Sequence, residues 1–453
     1  MRWVVMPEGF HEKALQVLRD LVRMDTTNPP GNEIACARYL KALLEPAGIE
    51  THIIEPAPGR GSLIARLRGS GEAAPLMIMG HLDVVTANPE EWRYPPFSAE
   101  IAEGFVWGRG TTDNKQMVAV GVTILLALAE LEQPLKRDVI LAATADEERG
   151  GRLGIGHVVR EFPGLVRAAC VLNEGGGAAL RINDRLFFTC QTAEKGVCRT
   201  VWRVQGRSGH ASQPRADLAT FKLARAIARL GDGHLNGRAI ETMRTALGMI
   251  ASTLSAKAEK RVQRLLAQGQ IEQALAEVGF EGESLARARP LFYDTASVTG
   301  LRAGDPESIN VIPLTATAYV DGRILPGQTQ EGFIESLRRC AGEEVEISLY
   351  REEYSPGLES PTEAPIVEVI RRVIAERCPG AMVIPWQCAG STDAKHLVPR
   401  GIPVYGFIPA LPLPEGVEGA GAHAHNERLW LDNLPFMFDI LYDVTYRFCS
   451  EIS

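Results

Sequence analysis

Three acids in a row, Asp146-Glu147-Glu148, follow the apolar run 138–143 and precede Gly150-Gly151. The run has the length and composition of a strand. On extended backbone successive side chains point to opposite sides. Glu147 and Glu148 can then do different jobs in one pocket, one binding a cation and the other facing a water or a substrate. Other segments repeat this grammar. His81 and Asp83 follow the apolar run 76–79, and Glu174 follows the run 168–172. In open α/β sheets, ligands bind outside such strand ends. Asp113 sits in the glycine-containing loop 108–115 and His423 in the late loop 421–428. Together these residues make a His/carboxylate set without thiolate, suited to zinc or a similar divalent ion.

Charge arithmetic favours two ions. Two divalent cations bring four positive charges; Asp113, Glu148 and Glu174 bring three negative ones. A bridging hydroxide balances the sum and leaves Glu147 over as a base. Five ligands are too many for one tetrahedral ion but suit two ions about 3.5–4 Å apart that share a carboxylate. His425 rivals His423; the spacing of four to Glu427 favours His423.

The elements that must position these groups read as an α/β protein. Apolar stripes at helical spacing run through 8–24 and 33–45, and 117–131 reads as a buried helix. Strand-like runs at 51–54, 62–67, 76–79, 138–143 and 168–172 alternate with helices, which means a largely parallel sheet with helices on both faces. The character changes near residue 194. A half-exposed strand at 200–204, the loop 206–214, helices through 217–230 and 235–289, and strands at 308–313 and 315–324 suggest an inserted α+β domain over 194–325. Residues 1–193 and 326–453 then form the metal-binding catalytic domain. The chain has 453 residues, 45% hydrophobic and 23% charged, with net charge −8. That is the composition of a soluble globular protein of two or three domains. No basic run favours nucleic acid. No apolar run is long enough to span a membrane, and residues 1–7 are too short in their apolar part for a signal peptide. Eight scattered cysteines without a C-x-x-C pair read as reduced thiols, hence a cytoplasmic protein.

Six stretches in order resemble the dinuclear-zinc amidohydrolase and exopeptidase family that includes aminoacylase, acetylornithine deacetylase, succinyl-diaminopimelate desuccinylase, carnosinase and carboxypeptidase S. They are Gly80-His81-Leu82-Asp83-Val84-Val85, the loop 108–115, Asp146-Glu147-Glu148, Asn173-Glu174-Gly175, the loop 206–214 and the segment 423–427. The resemblance implies that His81, Asp113 and Glu174 hold one Zn2+ and that Asp113, Glu148 and His423 hold the other, with Co2+ or Mn2+ as substitutes. It implies that Asp83 orients His81 by a hydrogen bond from behind the metal. Glu147 takes a proton from the bridging water and passes it to the leaving amine. His210, from an inserted lid and dimerisation domain, donates to the oxyanion, in many relatives across a homodimer. Asn310, Gly390 and Lys395 are the implied substrate contacts, and Arg323 is either a substrate contact or a salt-bridge partner. Where relatives often carry an arginine for the substrate carboxylate, Lys395 offers a point charge instead.

The implied activity is hydrolysis of an amide bond in a dipeptide, short peptide or N-acyl amino acid. A catalytically silent metal-binding scaffold is the alternative; retention of Glu147 and His210 beside five candidate ligands argues against it. The glycines of 151–156 mimic a dinucleotide loop without its glycine order or a ribose-binding acid. Gly175-Gly176-Gly177 reads as a tight turn below the metals. His11, His52, His157, His234 and His396 match no motif.

Overall fold

The strand-like runs assemble into a sheet whose central strands are buried on both faces. The computed structural model describes residues 9–213, 215–232 and 235–451. The expectations for residues 1–7, Pro214 and His234 fall outside them. The chain forms two compact units. The first takes the chain up to Thr192, then Ser360–Pro385 and everything from Thr392; the second comprises Ala193–Glu359 and Trp386–Ser391.

The first unit begins with α1 (Phe10–Arg23), whose stripe Ala14, Val17, Leu18, Leu21 and Val22 is buried, and α2 (Glu33–Leu44). Strands β1 (Glu50–Ile54), β2 (Ser62–Leu67) and β3 (Ala73–His81) follow. Next come the short pair β4 (Glu100–Ala102) and β5 (Phe105–Trp107), helix α3 (Lys115–Ala129), β6 (Arg137–Thr144), α4 (Ile155–Glu161) and β7 (Cys170–Asn173). The hairpin β8 (Ala179–Ile182) and β9 (Arg185–Glu194) leads to the second unit.

The second unit is built on β10 (Gly196–Gln205), β11 (Gly209–His210), β12 (Thr295–Ala303), β13 (Val311–Ile312), β14 (Thr315–Ile324), β15 (Glu346–Ser355) and β16 (Leu358–Glu359). Its sheet has the order β12-β14-β10-β15, antiparallel throughout. Helices α5 (Ala219–Asp232), α6 (Glu241–Ser252), α7 (Ala256–Ala267), α8 (Ile271–Glu277), α9 (Gly282–Ala288) and α10 (Gln330–Ala341) complete it. Leu223 and Ala226 of α5 and Phe333 and Leu337 of α10 share a core with Trp202, Ala318 and Val320 of the sheet. Residues 326–359, read from sequence as part of the metal-binding domain, fall in this second unit, because β15 pairs with β10 and α10 packs into the same core.

The chain then adds α11 (Pro365–Arg377), β17 (Met382–Cys388), β18 (Val404–Gly406), β19 (Arg428–Trp430) and α12 (Asn433–Ser450). The first unit's sheet runs β1-β2-β6-β3-β7-β18-β9, with parallel pairing from β6 through β3 and β7 to β18. Both pleat faces of its centre are buried, Leu76, Ile78, Val139 and Leu141 on one and Met77, Met79, Ile140 and Ala142 on the other. β19-β5-β4 forms a separate small sheet. The hairpin β8–β9, this small sheet and β12 were not expected from sequence. Strands of three residues carry too little alternation to stand out, and none of β12's nine residues is buried. Among the described residues, no helix is long and apolar enough to cross a membrane.

Two residues dock α3. Lys115 is buried, and its Nζ donates to the carbonyls of Leu21 and Met24, 2.9 Å each. It thereby satisfies carbonyls left over at the end of α1. Gly121 lets the helix meet the sheet: a Cβ there would stand 2.7 Å from Leu141 Cδ1 and 3.2 Å from Ile78 Cγ2. Gly121→Val therefore overpacks this interface and should lower stability by about 1–3 kcal/mol. A thermal or denaturant midpoint equal to wild type would show that the helix can move aside.

Candidate metal centre

The carboxyl ends of three adjacent parallel strands deliver the first ligands. His81 ends β3, Glu174 follows β7, and the acidic turn follows β6. His81 is 1% exposed, and its Nε2 lies 3.0 Å from Asp113 Oδ1 and 3.5 Å from Glu174 Oε2. Nδ1 lies 2.9 Å from the backbone carbonyl oxygen of Asp83. A carbonyl only accepts, so Nδ1 donates and Nε2 is left as the ligand atom. The Asp83 carboxylate is 3.6 Å from the ring, so the hydrogen bond between Asp83 and His81 is made by the backbone carbonyl.

His423 supplies the second set. Its Nε2 lies 3.1 Å from Glu148 Oε2 and 3.3 Å from Asp113 Oδ2. In each set, His81-Asp113-Glu174 and Asp113-Glu148-His423, the ligand atoms lie within 4.8 Å of one another. Asp113 turns one oxygen to each. One imidazole nitrogen and two carboxylate oxygens per set fit a divalent ion of the zinc type, and the shared aspartate fits a pair of them. His425 belongs to neither set; its Nδ1 lies 3.1 Å from Glu91.

The acids after β6 are not on extended backbone. The strand ends at Thr144, Asp146 takes the left-handed conformation at φ 71°, and Glu147–Arg149 forms one 3-10 turn. The two glutamates still diverge, but through this turn. The Asp83 carboxylate holds it, accepting from the backbone N–H of Glu147 at 3.0 Å and of Glu148 at 3.2 Å. Glu148 reaches His423, and Glu147 makes neither set. The Glu147 side chain is 11% exposed, with Lys395 Nζ 3.7 Å from its Oε1. Burial first, then the charge of Glu174, pushes its carboxyl well above the usual carboxylate range.

Glu427, read from sequence only as a spacing mark, anchors the Asp113 loop. It is buried and accepts from the backbone N–H of Thr112 (2.7 Å), Asp113 (3.2 Å) and Gly110 (3.2 Å). Arg109 Nη1 pairs with it at 2.7 Å. Asp393 was also passed over. It is buried, accepts from Thr144 Oγ1 at 3.1 Å and is pushed up by burial to about 7, against the pull of Lys395. Both acids lie in segments already marked for other residues, and their type alone was the available signal.

The remaining expected site residues lie in the second unit. His210 sits on β11 opposite Val311, exposed, with Nδ1 2.8 Å from Ser212 Oγ. Asn310 is exposed, and its carbonyl accepts from Ala211 N–H at 2.9 Å. The Gly390 N–H donates to Cys388 Sγ at 3.2 Å. Arg323 pairs with Asp321 at 2.6 Å, the salt-bridge reading rather than the substrate one.

The sequence matches the family described as Peptidase family M20/M25/M40 over residues 77–447. It is 29% identical over 388 residues to the N-fatty-acyl-amino acid synthase/hydrolase PM20D1 of Xenopus tropicalis, covering 82% of this chain and 72% of that protein. It is 26% identical to Aminoacylase-1 of Mus musculus, covering 94% of this chain and 92% of that protein. Among solved structures, the M20 family metallo-carboxypeptidase Sso-CP2 from Sulfolobus solfataricus superposes with a TM-score of 0.71 at 20% identity, covering 96% of this chain and 99% of that one. Human carnosine dipeptidase 1 gives a TM-score of 0.67 at 14% identity, covering 97% of each chain. These two structures share the fold.

The charge distribution sets how ions enter. Hydrogen bonds to Asp113 and Glu148 raise His423 to about 10. Burial opposes the charged form of His81, but Glu174, Asp113 and Asp83 outweigh it and hold its pKa well above the ordinary value. The His423 ring is then protonated at neutral pH in the metal-free protein, and a ligand imidazole must be neutral. The ion that His423 binds should displace about one proton, so its apparent affinity should rise about tenfold per pH unit across the neutral range. Calorimetric titration in buffers of different ionisation enthalpy measures this; binding without proton release would refute the protonation assignment. His423→Ala should retain one ion and Asp113→Ala should weaken both, read by elemental analysis after gel filtration.

Proposed function

The chain belongs to peptidase family M20/M25/M40, and from that premise we propose that it is a zinc-dependent hydrolase of amide bonds adjoining a free carboxylate. N-acyl amino acids are the proposed substrates, a class supported by relatives named N-fatty-acyl-amino acid synthase/hydrolase and Aminoacylase-1. A dipeptide or short peptide is the second reading, favoured by a relative named Probable carboxypeptidase S-like 2, from Dictyostelium discoideum. The observation that carries the proposal is the division of labour in one turn: Glu148 faces His423 while Glu147, one residue away, faces neither ligand set.

His81, Asp113 and Glu174 would hold one ion; Asp113, Glu148 and His423 would hold the other. When bound, two such ions polarise the scissile carbonyl and acidify the attacking water. Glu147 takes the proton of that water at its carboxylate and returns it to the leaving nitrogen, so one side chain serves as base and then acid. Its burial suits both halves of this exchange, since a carboxyl with a raised pKa holds the proton between them. Lys395, beside Glu147, is proposed to meet the substrate carboxylate as a point charge, with Asn310 and Gly390 as further substrate contacts. His210 is proposed to donate to the developing oxyanion, and the second unit to act as lid and as homodimer contact. The exposed Leu301 on edge strand β12 supports the dimer reading. The scattered cysteines, with no C-x-x-C pair, support a cytoplasmic location.

Three measurements test this reading. A hydrolysis screen of N-acyl amino acids against dipeptides, with zinc, cobalt and manganese, should show turnover that needs metal and a free substrate carboxylate. No turnover in a protein that holds two ions would favour the silent scaffold. Glu147→Gln should keep both ions and lose about 10²–10⁴-fold in kcat; an intact rate would remove Glu147 from the chemistry. His210→Ala should keep both ions and lose about 10²–10³-fold in kcat with little change in KM. Mixing the two inactive variants should restore some activity if His210 serves the partner's site. No recovery despite demonstrated subunit exchange would assign it to its own chain.

A further inference from the structure

Beneath the turn that carries Glu147 and Glu148 lies a buried polar cluster that the chemistry above does not use. Its only guanidinium is that of Arg60, which is 7% exposed. Arg60 Nε donates to Glu33 Oε2 at 2.9 Å, and Nη2 donates to Glu33 Oε1 at 2.7 Å and to Asp146 Oδ1 at 3.0 Å. Nη1 reaches Asn28 Oδ1 at 3.4 Å. Glu33 is fully buried. Without the guanidinium, Glu33 and Asp146 would lose the one cation that both of them contact.

Two paths lead from this guanidinium to the acidic turn. Through Asp146 it reaches the start of the turn. Asp146 is the left-handed residue; its N–H donates to Glu33 Oε1 at 3.3 Å, its Oδ2 accepts from Leu153 N–H at 3.0 Å, and its carbonyl accepts from Arg149 N–H at 3.1 Å. Through Asn28 it reaches the middle of the turn. Asn28 Nδ2 donates to Asp83 Oδ2 at 2.8 Å, and Asp83 accepts the N–H groups of Glu147 and Glu148. The cluster is also shaped for a flat cation. Gly31, at φ +81°, closes over it, and a Cβ there would stand 2.5 Å from Arg60 Nε and 2.8 Å from Glu33 Oε2.

We propose that Arg60 is a positioning residue for the Glu147-Glu148 turn, its fork clamping Glu33 and Asp146 so that Glu148 meets the second ion and Glu147 meets the attacking water. This rests on the reading of Glu148 as ligand and Glu147 as base. The His81-Asp113-Glu174 set takes none of its residues from the turn and meets this network only through the Asp83 carbonyl and the shared Asp113, so the clamp acts mainly on the second ion. A lysine at position 60 keeps the charge but cannot span both carboxylates at once.

The test is Arg60→Lys in the full chain, with ion titration and steady-state kinetics on the same preparation. Loss of a partner behind a ligand typically weakens metal binding or activity about 10- to 100-fold. The second ion's affinity should fall by that factor and kcat by about tenfold or more, with KM moving less than about threefold. In a His423→Ala background, which leaves only the first ion, adding Arg60→Lys should change affinity by less than about threefold. A general loosening of the fold would weaken the first ion as much as the second and would overturn the proposal. So would folded Arg60→Lys protein with wild-type affinities and kcat. If Arg60→Lys does not fold, Asp146→Asn decides in the same way, because asparagine tolerates the left-handed conformation while losing the charge that Arg60 holds. Wild-type protein that binds fewer than two ions would instead overturn the metal reading itself.

Discussion

Four carboxylates, those of Asp113, Glu147, Glu148 and Glu174, crowd around two imidazoles, and the rest of the first unit is arranged to hold them there. Like charges at this range repel, and burial raises the cost of each. The backbone carries the burden. The Asp113 loop hangs by its N–H groups from Glu427, and the Glu147-Glu148 turn hangs by its N–H groups from Asp83. Each anchoring acid is itself tied to an arginine, Glu427 to Arg109 directly and Asp83 to Arg60 through Asn28. Asp113, Glu147 and Glu148 thus hang from acids outside the two ligand sets, and those acids from arginines.

The two ligand sets are unequal. His81 ends a buried strand and is enclosed, whereas the His423 side chain is 58% exposed on a loop residue at φ 62°. The shared Asp113 therefore joins a rigid set to an open one. An open side is where a substrate can approach, and the acid turn with Glu147, which Lys395 faces, follows β6, the strand next to β3 that His81 ends. Enclosure of one set gives a fixed reference for the geometry; openness of the other gives access.

Several motif residues work through packing rather than through chemistry. The lysine of the 108–115 loop, Lys115, caps α1. The glycines that mimic a dinucleotide loop are where they are because nothing larger fits: a Cβ on Gly154 would stand 1.7 Å from the Ala145 carbonyl oxygen, and one on Gly151 2.0 Å from Asp393 Oδ1. Gly176 and Gly177 similarly press against the backbone of Gly406 and Ile408. These glycines let the acid turn and the turn after β7 nest against neighbouring loops, which is a steric requirement and not a phosphate cradle.

The sequence by itself determined the α/β class, the main strands of the catalytic sheet and the positions of acids and histidines just past their ends. It could do so because those strands are long, apolar and bounded by glycines, and because a strand end has a fixed place in a parallel sheet. Which atoms meet was decided only by the tertiary structure. That His81 bonds to the carbonyl of Asp83 and not to its carboxylate, that the acid pair sits on a 3-10 turn, and that Glu427 and Arg60 stand behind the ligands all depend on hydrogen bonds between segments tens to hundreds of residues apart. The same holds for residues 326–359, whose strand β15 could join either neighbouring segment until β10 offered a free edge. Local pattern reports which face a residue prefers; it carries no information on which distant N–H or guanidinium arrives to satisfy a buried carboxylate.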